Sequence, residues 1–220
     1  MSYTLYYSPG AASMAVHWML LELRVPFDIR CINIDEGVQH SPDYLRLNPT
    51  GRVPTLVIDG VPRHESTALL MLLAERHPEG GFAPPPGTPE RAAWFELMIY
   101  LANTLLPAMR NWFYADTDGD PDGADAVRAH ARRQIEAAMD EFDGRLRDGR
   151  DHLLGGASPS TADFLAIVLM GWTRNMPRTA LAWPHLARYV ERMRARPSFA
   201  ELTAREGLTE WLDAPSGAAG

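Results

Sequence analysis

The stretch Asn48-Pro-Thr-Gly-Arg-Val-Pro-Thr-Leu56 organises the first half of the chain. Its Asn-Pro-x-Gly opening is typical of a turn, and an extended run over residues 55–58 begins directly after Pro54. Because a proline disfavours helical backbone in the residue before it, we predict that Val53 is extended at the mouth of a strand. A cis bond before Pro54 would turn the N–H and C=O groups of Val53 outward. This backbone could then pair with an extended peptide ligand.

Glu65 and Ser66 follow the first stretch after a short hairpin and precede a helical run over residues 67–75. Ser66 is predicted to be the N-cap of this helix. Its hydroxyl group, the neighbouring N–H groups and the helix dipole would together receive a carboxylate, while Glu65 could hold an ammonium group. Each piece alone is typical of a strand edge and an ordinarily capped helix. Both pieces in this order favour a site for the α-amino acid end of a ligand.

Hydrophobic patterns around these stretches predict a small α/β unit. The predicted strands and helices lie, in chain order, over residues 4–7, 11–24, 27–34, 42–47, 55–58, 61–63 and 67–75. The order βαβαββα is that of a thioredoxin-like domain, although the spacing alone would also permit other small α/β units.

Glycine and proline concentrate after the last of these helices, and the sequence beyond has helical periodicity throughout. We predict an α/β domain over residues 1–77, a linker over 78–88, an all-α helical bundle over 89–213 and a disordered tail over 214–220. The run Phe164–Met170 is apolar on all sides and should be the buried centre of the bundle. Its helix begins with Ser160-Thr-Ala-Asp163, a capping box with Asp in place of Glu or Gln.

The bulk composition limits the classes of function. The 220 residues are 46% hydrophobic and carry a net charge of −7, which indicates a globular chain and argues against nucleic acid as a partner. The start of the chain lacks an apolar signal core, and the run Phe164–Met170 is too short to span a bilayer. We therefore expect a cytoplasmic protein without a membrane partner. The single cysteine, Cys31, cannot form an internal disulfide and is predicted to be a small buried residue on a strand.

No metal site is predicted. Residues 118–123 match the first half of a calcium loop, but Ala129 stands where a bidentate glutamate should close the cage. The seven histidines show no metal-ligand spacing.

The stretches around Val53 and Glu65 resemble the glutathione-binding signature of the cytosolic glutathione transferases. The opening Tyr6-Tyr-Ser-Pro-Gly-Ala-Ala-Ser13, with His17, is similar to the bacterial beta class in particular. The resemblance covers nearly the whole chain. It implies a thioredoxin-like domain followed by a helical bundle, and a homodimer. It also implies a detoxification enzyme that conjugates glutathione to a small hydrophobic electrophile.

The resemblance further implies how the substrates are held. Val53 would pair through its backbone with the cysteinyl unit of glutathione, and Glu65 and Ser66 would hold the γ-glutamyl end. Three polar residues could meet the glycyl carboxylate: Gln39, His40 and Arg52. The second substrate would lie against aromatic and methionine side chains at Tyr100, Met109, Trp112, Phe113 and Trp172.

A transferase must keep the thiol of glutathione ionised, because the thiolate is the nucleophile. A free thiol has a pKa near ~8.5, and lowering it by ~2 units requires roughly 2.7 kcal/mol. A hydrogen bond to a charged group contributes ~1.5–3 kcal/mol, and a helix N-terminus contributes about 0.3–1 kcal/mol. One hydroxyl group at the start of a helix is therefore sufficient.

We predict this hydroxyl group at the start of the first helix. The beta class has a cysteine beside the thiol, and the matching residue here is Ala12, whose side chain can form neither a hydrogen bond nor a mixed disulfide. Ser13 follows it and is predicted to donate to the thiolate, with Tyr6 or Tyr7 as the competing donor. Strand register decides which tyrosine faces the site, since neighbouring side chains point to opposite faces. The alternative for Ser13 is a helix cap without a catalytic part.

The beta class also offers a histidine from the first helix of the helical domain, and the matching residue here is Leu106. Asn103 and Thr104 lie one helical turn earlier and could contribute. With both polar groups replaced, three functions stay open. The predicted one is conjugation of glutathione. The others are glutathione-dependent isomerisation or peroxide reduction, and a non-enzymatic member that binds glutathione or a protein partner.

Overall fold

The computed structural model describes residues 2–208. These residues form two compact units. The first unit contains the described residues up to Ala83 together with those from Arg194 onward, and the second unit runs from Pro84 to Met193. The division after Ala83 falls inside the linker proposed at residues 78–88, and the last helix groups with the first unit. The exact boundaries at residues 77 and 89 stay predictions, and the tail proposed at residues 214–220 lies outside the described residues.

The first unit is built on a four-stranded mixed sheet. Its strands are β1 (Tyr3–Tyr7), β2 (Asp28–Cys31), β3 (Thr55–Ile58) and β4 (Val61–His64), in the spatial order β2-β1-β3-β4. β1 pairs with β2 in parallel, whereas the β1–β3 and β3–β4 pairs are antiparallel. Its helices are α1 (Ser13–Leu23), α2 (Pro42–Leu47), α3 (Ser66–Arg76) and the last helix within residues 2–208, Pro197–Glu206. The predicted order βαβαββα and the thioredoxin-like fold class are confirmed.

The core of the first unit lies between β1 and α1. Tyr3, Leu5 and Tyr7 point to one face of the sheet and are buried, whereas Thr4 and Tyr6 point to the other face and are half-buried. α1 contacts β1, α3 and the last helix, so every residue from Ser13 to Leu21 is buried. The start of α1 is therefore fixed by packing from three elements.

Cys31 ends β2 and is exposed, so its predicted burial is wrong. β2 is an edge strand, and each of its residues is at least partly exposed. The apolar alternation that predicted this strand does not distinguish an edge strand from a central one.

The second unit is helical, as predicted. Its helices are α4 (Pro89–Tyr100), α5 (Leu106–Phe113), α6 (Ala124–Arg145), α7 (Thr161–Gly171) and α8 (Pro184–Arg194), so the helix Pro197–Glu206 of the first unit is α9. All residues of α7 are buried, and its predicted capping box is present between Ser160 and Asp163. Asp163 also accepts hydrogen bonds from the N–H of Leu153 at 3.0 Å and the hydroxyl of Tyr189 at 2.8 Å. This buried carboxylate joins three parts of the second unit.

α4 and α5 form one continuous helix, because the residues between them, Leu101–Leu105, are π-helical. The combined helix Pro89–Phe113 has 25 residues, and the mean hydropathy of its most apolar window is 1.2. By length and composition alone, this helix could span a membrane. The core helix of a helical bundle satisfies the same criterion. Trp94, Leu97 and Met98 of α4 are buried inside the second unit.

Candidate functional site

The backbone of Val53 is free to bind a ligand. The Val53–Pro54 peptide bond is cis, and β3 begins only at Thr55. Within residues 2–208 neither the N–H nor the C=O of Val53 makes a hydrogen bond. Val53 itself is half-buried. An unpaired donor and acceptor on one residue at the mouth of a strand can pair with an extended peptide, so the predicted ligand contact at Val53 stays a prediction that this geometry permits.

The turn before Val53 is held by Asn48. Its side-chain amide donates to the carbonyl of Arg52 at 2.7 Å, and its side-chain oxygen accepts from the N–H of Thr50 at 3.1 Å and the hydroxyl at 2.7 Å. Gly51 has a φ of 62°, and a Cβ atom there would lie 2.8 Å from the His40 ring. Only glycine satisfies both the backbone conformation and this close approach.

Glu65 and Ser66 occupy the start of α3, one position earlier than predicted. The carbonyl of Glu65 accepts the first bond of the helix, from the N–H of Leu69 at 2.9 Å, so Glu65 holds the N-cap position. The predicted capping role of Ser66 is wrong, since Ser66 is already helical and no side chain caps α3. Ser66 is 6% exposed, and Glu65 is exposed.

Glu65 has a strained backbone, with φ 68° and ψ 106°. Such a conformation costs a residue with a side chain about 1–3 kcal/mol and is concentrated at functional sites. The first N–H groups of α3 have no partner within their own helix, as at every helix start. A carboxylate could therefore bind at these N–H groups with Glu65 beside it.

The three residues predicted to meet the glycyl carboxylate lie around the turn at Gly51. Gln39 and His40 belong to a 3₁₀ turn, Val38–His40, whose backbone and His40 ring lie against Gly51. The Gln39 amide donates to the carbonyl of Ile34 at 3.2 Å, and its Oε1 atom is buried without a partner in the described residues. Arg52 is exposed. The structure thus brings Gln39 and His40 to the segment that contains Val53.

Ser13 lies at the start of α1, but its hydroxyl group is occupied. It donates to the carbonyl of Ser8 at 3.1 Å and accepts from the N–H of Ser8 at 3.1 Å. Its side chain is 0% exposed. This geometry does not support the predicted donation to a ligand thiolate, because the hydroxyl proton is already used and out of reach. Within the described part of the chain, the N–H groups of Ala12 and Ser13 themselves have no acceptor.

The two candidate tyrosines face opposite sides of the sheet. Tyr7 is buried, and its ring lies 5.5 Å from the ring of His17. Burial raises the pKa of Tyr7, and the nearby groups of Cys31 and Glu206 raise it further, so its hydroxyl stays protonated at neutral pH. Tyr6 is half-buried, and its ring lies 6.0 Å from that of Tyr44. Tyr7 therefore shares the α1 side of the sheet, and Tyr6 does not.

Glu206 is a residue of this region that the sequence analysis did not identify. Its carboxylate accepts from the N–H of Gly10 at 2.9 Å and contacts Nδ1 of His17 at 2.8 Å, and both side chains are fully buried. This contact ties α9 to the loop before α1. A signal was present, since Glu206 follows Phe199 and Leu202 on the buried face of α9.

A cavity of 280 Å³ opens beside the same loop. It is lined by Ser8 and Pro9 from the loop and by Cys31, Asn33, Ile34 and Asp35 from the end of β2 and the segment after it. All of these residues belong to the first unit.

The residues predicted for the second substrate belong to the second unit. Phe113 and Trp172 meet edge to face at 6.3 Å, and Tyr100 packs against Phe142 at 5.9 Å. Burial raises the pKa of Tyr100, and the neighbouring Glu141 raises it further. Met109 is fully buried and is a core residue, so its predicted place on a substrate surface is wrong.

Asn103 and Leu106 lie at the irregular part of the long helix in the second unit. Asn103 is exposed in the π-helical segment, and Leu106 is the half-buried first residue of α5. π-helical segments inside α-helices are frequent at functional sites.

Comparisons with known proteins identify the family of this chain. The family "Glutathione S-transferase, N-terminal domain" matches residues 11–76, and "Glutathione S-transferase, C-terminal domain" matches residues 125–192. The chain is 30% identical to glutathione S-transferase GST-4.5 of Xanthomonas campestris, over 93% of this chain and 98% of that protein. The protein therefore belongs to the glutathione S-transferase family.

Solved structures give the same assignment. A glutathione transferase homologue from Sulfitobacter with bound glutathione has a TM-score of 0.84 and 27% identity, over 94% of this chain and 99% of that one. The beta class glutathione S-transferase of Sphingomonas chungbukensis has a TM-score of 0.81 and 30% identity, over 94% of this chain and 100% of that one. The predicted resemblance to the cytosolic transferases is confirmed.

Proposed function

We propose that this protein binds glutathione in the first unit and transfers its thiolate to a small apolar electrophile. The observation that carries the proposal is the unpaired backbone of Val53, followed one β-hairpin later by the strained helix start at Glu65. Glutathione is an extended tripeptide with an α-amino acid at one end. The unpaired N–H and C=O of Val53 can pair with the backbone of its central residue. The start of α3 beside the Glu65 carboxylate can bind the α-amino acid end.

In this proposal Val53 pairs through its backbone with the cysteinyl unit. The hydroxyl of Ser66 and the first N–H groups of α3 receive the γ-glutamyl carboxylate, and Glu65 holds the ammonium group. The glycyl carboxylate lies near the turn at Gly51, where three candidate partners are available: Gln39, His40 and Arg52.

We propose that the sulfur of glutathione lies at the start of α1. The unpaired N–H groups of Ala12 and Ser13 and the helix dipole favour a thiolate there. The hydroxyl of Ser13 acts indirectly, because its two bonds to Ser8 fix the loop that leads into α1. Tyr7 is the competing donor on the same side of the sheet, and Tyr6 is on the opposite side. Asn103 is proposed as a helper from the second unit.

In the reaction, the bound thiol loses its proton to solvent and the thiolate attacks an electrophilic carbon. A carbon–sulfur bond forms while the bond to the leaving group breaks, and the leaving group departs with the electron pair. Tyr100, Trp112, Phe113 and Trp172 of the second unit are proposed to receive the electrophile. A flat apolar molecule suits such aromatic side chains.

The direct test is turnover with glutathione and chlorodinitrobenzene, followed by mass spectrometry of the product. The proposal expects the S-dinitrophenyl conjugate to form faster than in the buffer alone, with release of chloride. Formation at the buffer rate, by protein that binds glutathione, would contradict transferase activity on this class of electrophile.

A second function, binding of glutathione without catalysis, is favoured by one specific observation. Ala12 and Leu106 replace the polar residues of the beta class, and the hydroxyl of Ser13 is bonded to Ser8. Under this alternative, glutathione binds but its thiol titrates as it does in water.

We also propose that the protein acts in the cytoplasm as a homodimer, as the family resemblance implies. Phe95 and Ile99 of α4 are exposed, lie one helical turn apart and offer an apolar surface for a second copy. Light scattering coupled to size-exclusion chromatography tests this, and a mass of one chain at micromolar concentration would contradict it.

A further inference from the structure

We propose that Tyr44 is a positioning residue that ties together the two halves of the glutathione site through one buried hydroxyl group. The proposal rests on the proposed function, since it explains how Val53 and Glu65 are held for the same ligand. Tyr44 lies on α2, outside both stretches of the signature.

The Tyr44 hydroxyl bridges the chain on both sides of Val53 and Pro54. It donates to the carbonyl of Arg52 at 2.7 Å and lies 2.9 Å from the hydroxyl oxygen of Thr55. Arg52 and Thr55 are the residues directly before and after that pair. The segment with the unpaired backbone is therefore fixed at each end by one group.

The direction of these hydrogen bonds follows from the number of protons. A carbonyl can only accept, so the single proton of the Tyr44 hydroxyl belongs to the bond with Arg52. The hydroxyl of Thr55 must then donate to the oxygen of Tyr44. This leaves the oxygen of Thr55 as an acceptor for Nδ1 of His64, which lies 3.5 Å away on β4.

The chain of contacts thus runs from His64 through Thr55 and Tyr44 to the carbonyl of Arg52. His64 immediately precedes the strained Glu65, so the contacts reach from one half of the site to the other. Thr55 and His64 are also paired in the β3–β4 ladder, which keeps their side chains on the same face.

Tyr44 is suited to this position. Its side chain is 3% exposed, and its ring packs against that of Tyr6. Burial raises the pKa of Tyr44, although the hydrogen bond from Thr55 and the nearby side-chain amide of Asn48 oppose the shift, so the hydroxyl stays a donor at neutral pH.

The test is the variant Tyr44→Phe, which removes the hydroxyl and keeps the ring. The carbonyl of Arg52 then keeps only its bond from Asn48, and the buried hydroxyl of Thr55 loses its acceptor. We expect the Kd for glutathione in calorimetry to rise about five- to thirtyfold. KM for glutathione should rise in parallel, with kcat at saturation changed less than about twofold.

The matched control is Tyr189→Phe, which removes a buried hydroxyl bonded to Asp163 in the second unit. Both variants lose thermal stability, but only Tyr44→Phe should lose affinity for glutathione. An unchanged Kd in Tyr44→Phe, with a stability loss like that of the control, would show a merely structural role and overturn the proposal.

A second pair of variants keeps the test decisive if Tyr44→Phe folds poorly. Thr55→Val keeps the shape of the side chain but removes its hydroxyl, which breaks the contacts with Tyr44 and His64 and should also raise the Kd. Thr55→Ser keeps a hydroxyl, so its Kd should stay close to that of the unaltered protein. Equal affinity of Thr55→Val and Thr55→Ser would contradict the proposal. Failure of the unaltered protein to bind glutathione would instead overturn the proposed function itself.

Discussion

The segment over residues 48–66 and the start of α1 lie in the same unit and both leave backbone N–H groups unpaired, but they differ in the polar side chains that they can offer a ligand. In the segment, the side chain of Asn48 and that of Tyr44 from the preceding α2 hold the backbone, the N–H and C=O of Val53 stay unpaired, and Glu65 is exposed. At the start of α1 the side chains of Ser13 and His17 are bonded to other parts of the protein.

This difference separates binding from activation of the thiol. A ligand can be held by backbone groups that depend on turn residues and on a strained Glu65, and all of these are present. Activation in the beta class uses polar side chains, and Ala12 and Leu106 lack them. We therefore expect glutathione binding to depend on the segment, and the ionisation of its thiol to depend on the N–H groups at the start of α1.

The largest effect is expected from the buried pair that fixes the start of α1. His17→Phe keeps an aromatic ring between Tyr7 and Phe27 but removes the partner of the Glu206 carboxylate. Breaking one side of a buried pair leaves an uncompensated charge, so the free energy of unfolding should fall by about 3–5 kcal/mol. Urea denaturation measures this.

The exposed residue His130 provides the control, because His130→Phe should change stability by less than about 0.5 kcal/mol. Equal losses of stability in the two variants would show that the buried contact between His17 and Glu206 does not stabilise this region.

A smaller effect, on affinity alone, is expected in the segment. Glu65→Gln keeps the shape of the side chain but removes the charge proposed to hold the ammonium group of glutathione. A hydrogen bond to a charged group contributes about 1.5–3 kcal/mol, so the Kd should rise about tenfold to a hundredfold. Calorimetry with glutathione checks this. The exposed Glu79→Gln is the control, and an equal Kd for both variants would contradict the assignment of Glu65.

The smallest effect concerns Glu22, at the other end of α1. Burial alone would raise the pKa of Glu22, but hydrogen bonds from Arg196 and Ser198 and the charges of Arg196 and Arg24 lower it below its ordinary value of 4.5. Because the pKa is lower in the folded state, the ionised carboxylate stabilises the protein at pH values above 4.5, the ordinary pKa. This stabilisation is lost as the pH falls through the folded-state pKa.

Glu22→Gln should therefore lower the free energy of unfolding by about 1 kcal/mol at pH 7, and by less as the pH falls below 4.5. The exposed pair of Glu201 with Arg205 supplies the comparison, since Glu201→Gln should cost under about 0.5 kcal/mol at any pH. A Glu22→Gln difference that grows on acidification would have the wrong sign.

Much of the fold and the local geometry around Val53 in the candidate site could be predicted from the sequence, because those features depend on neighbours in the chain. Turn residues and a proline place Val53 at the mouth of β3, and the buried helix α7 follows from an unbroken apolar run. The predicted features that failed depend on distant contacts. Whether Cys31 is buried depends on which strand lies at the sheet edge, and the state of the Ser13 hydroxyl depends on how the loop at Ser8 folds back.

Glu206 is a second residue whose contacts depend on distant parts of the chain. The spacing of Phe199, Leu202 and Glu206 indicates that the carboxylate is buried, but its partner His17 lies 189 positions away, so the local pattern does not identify the partner. The N-cap of α3 is Glu65 and not the predicted Ser66, because residue propensities do not anticipate a glutamate with positive φ.

The most direct test is a pH titration of glutathione bound to the protein, in which the ultraviolet absorbance of the thiolate reports the ionisation of the thiol. We predict that the thiol of bound glutathione titrates about one to two pH units below the free value near 8.5, and that Ser13→Ala changes its pKa by less than about half a unit. Titration of the bound thiol at the free value would contradict the account and leave a protein that only binds glutathione.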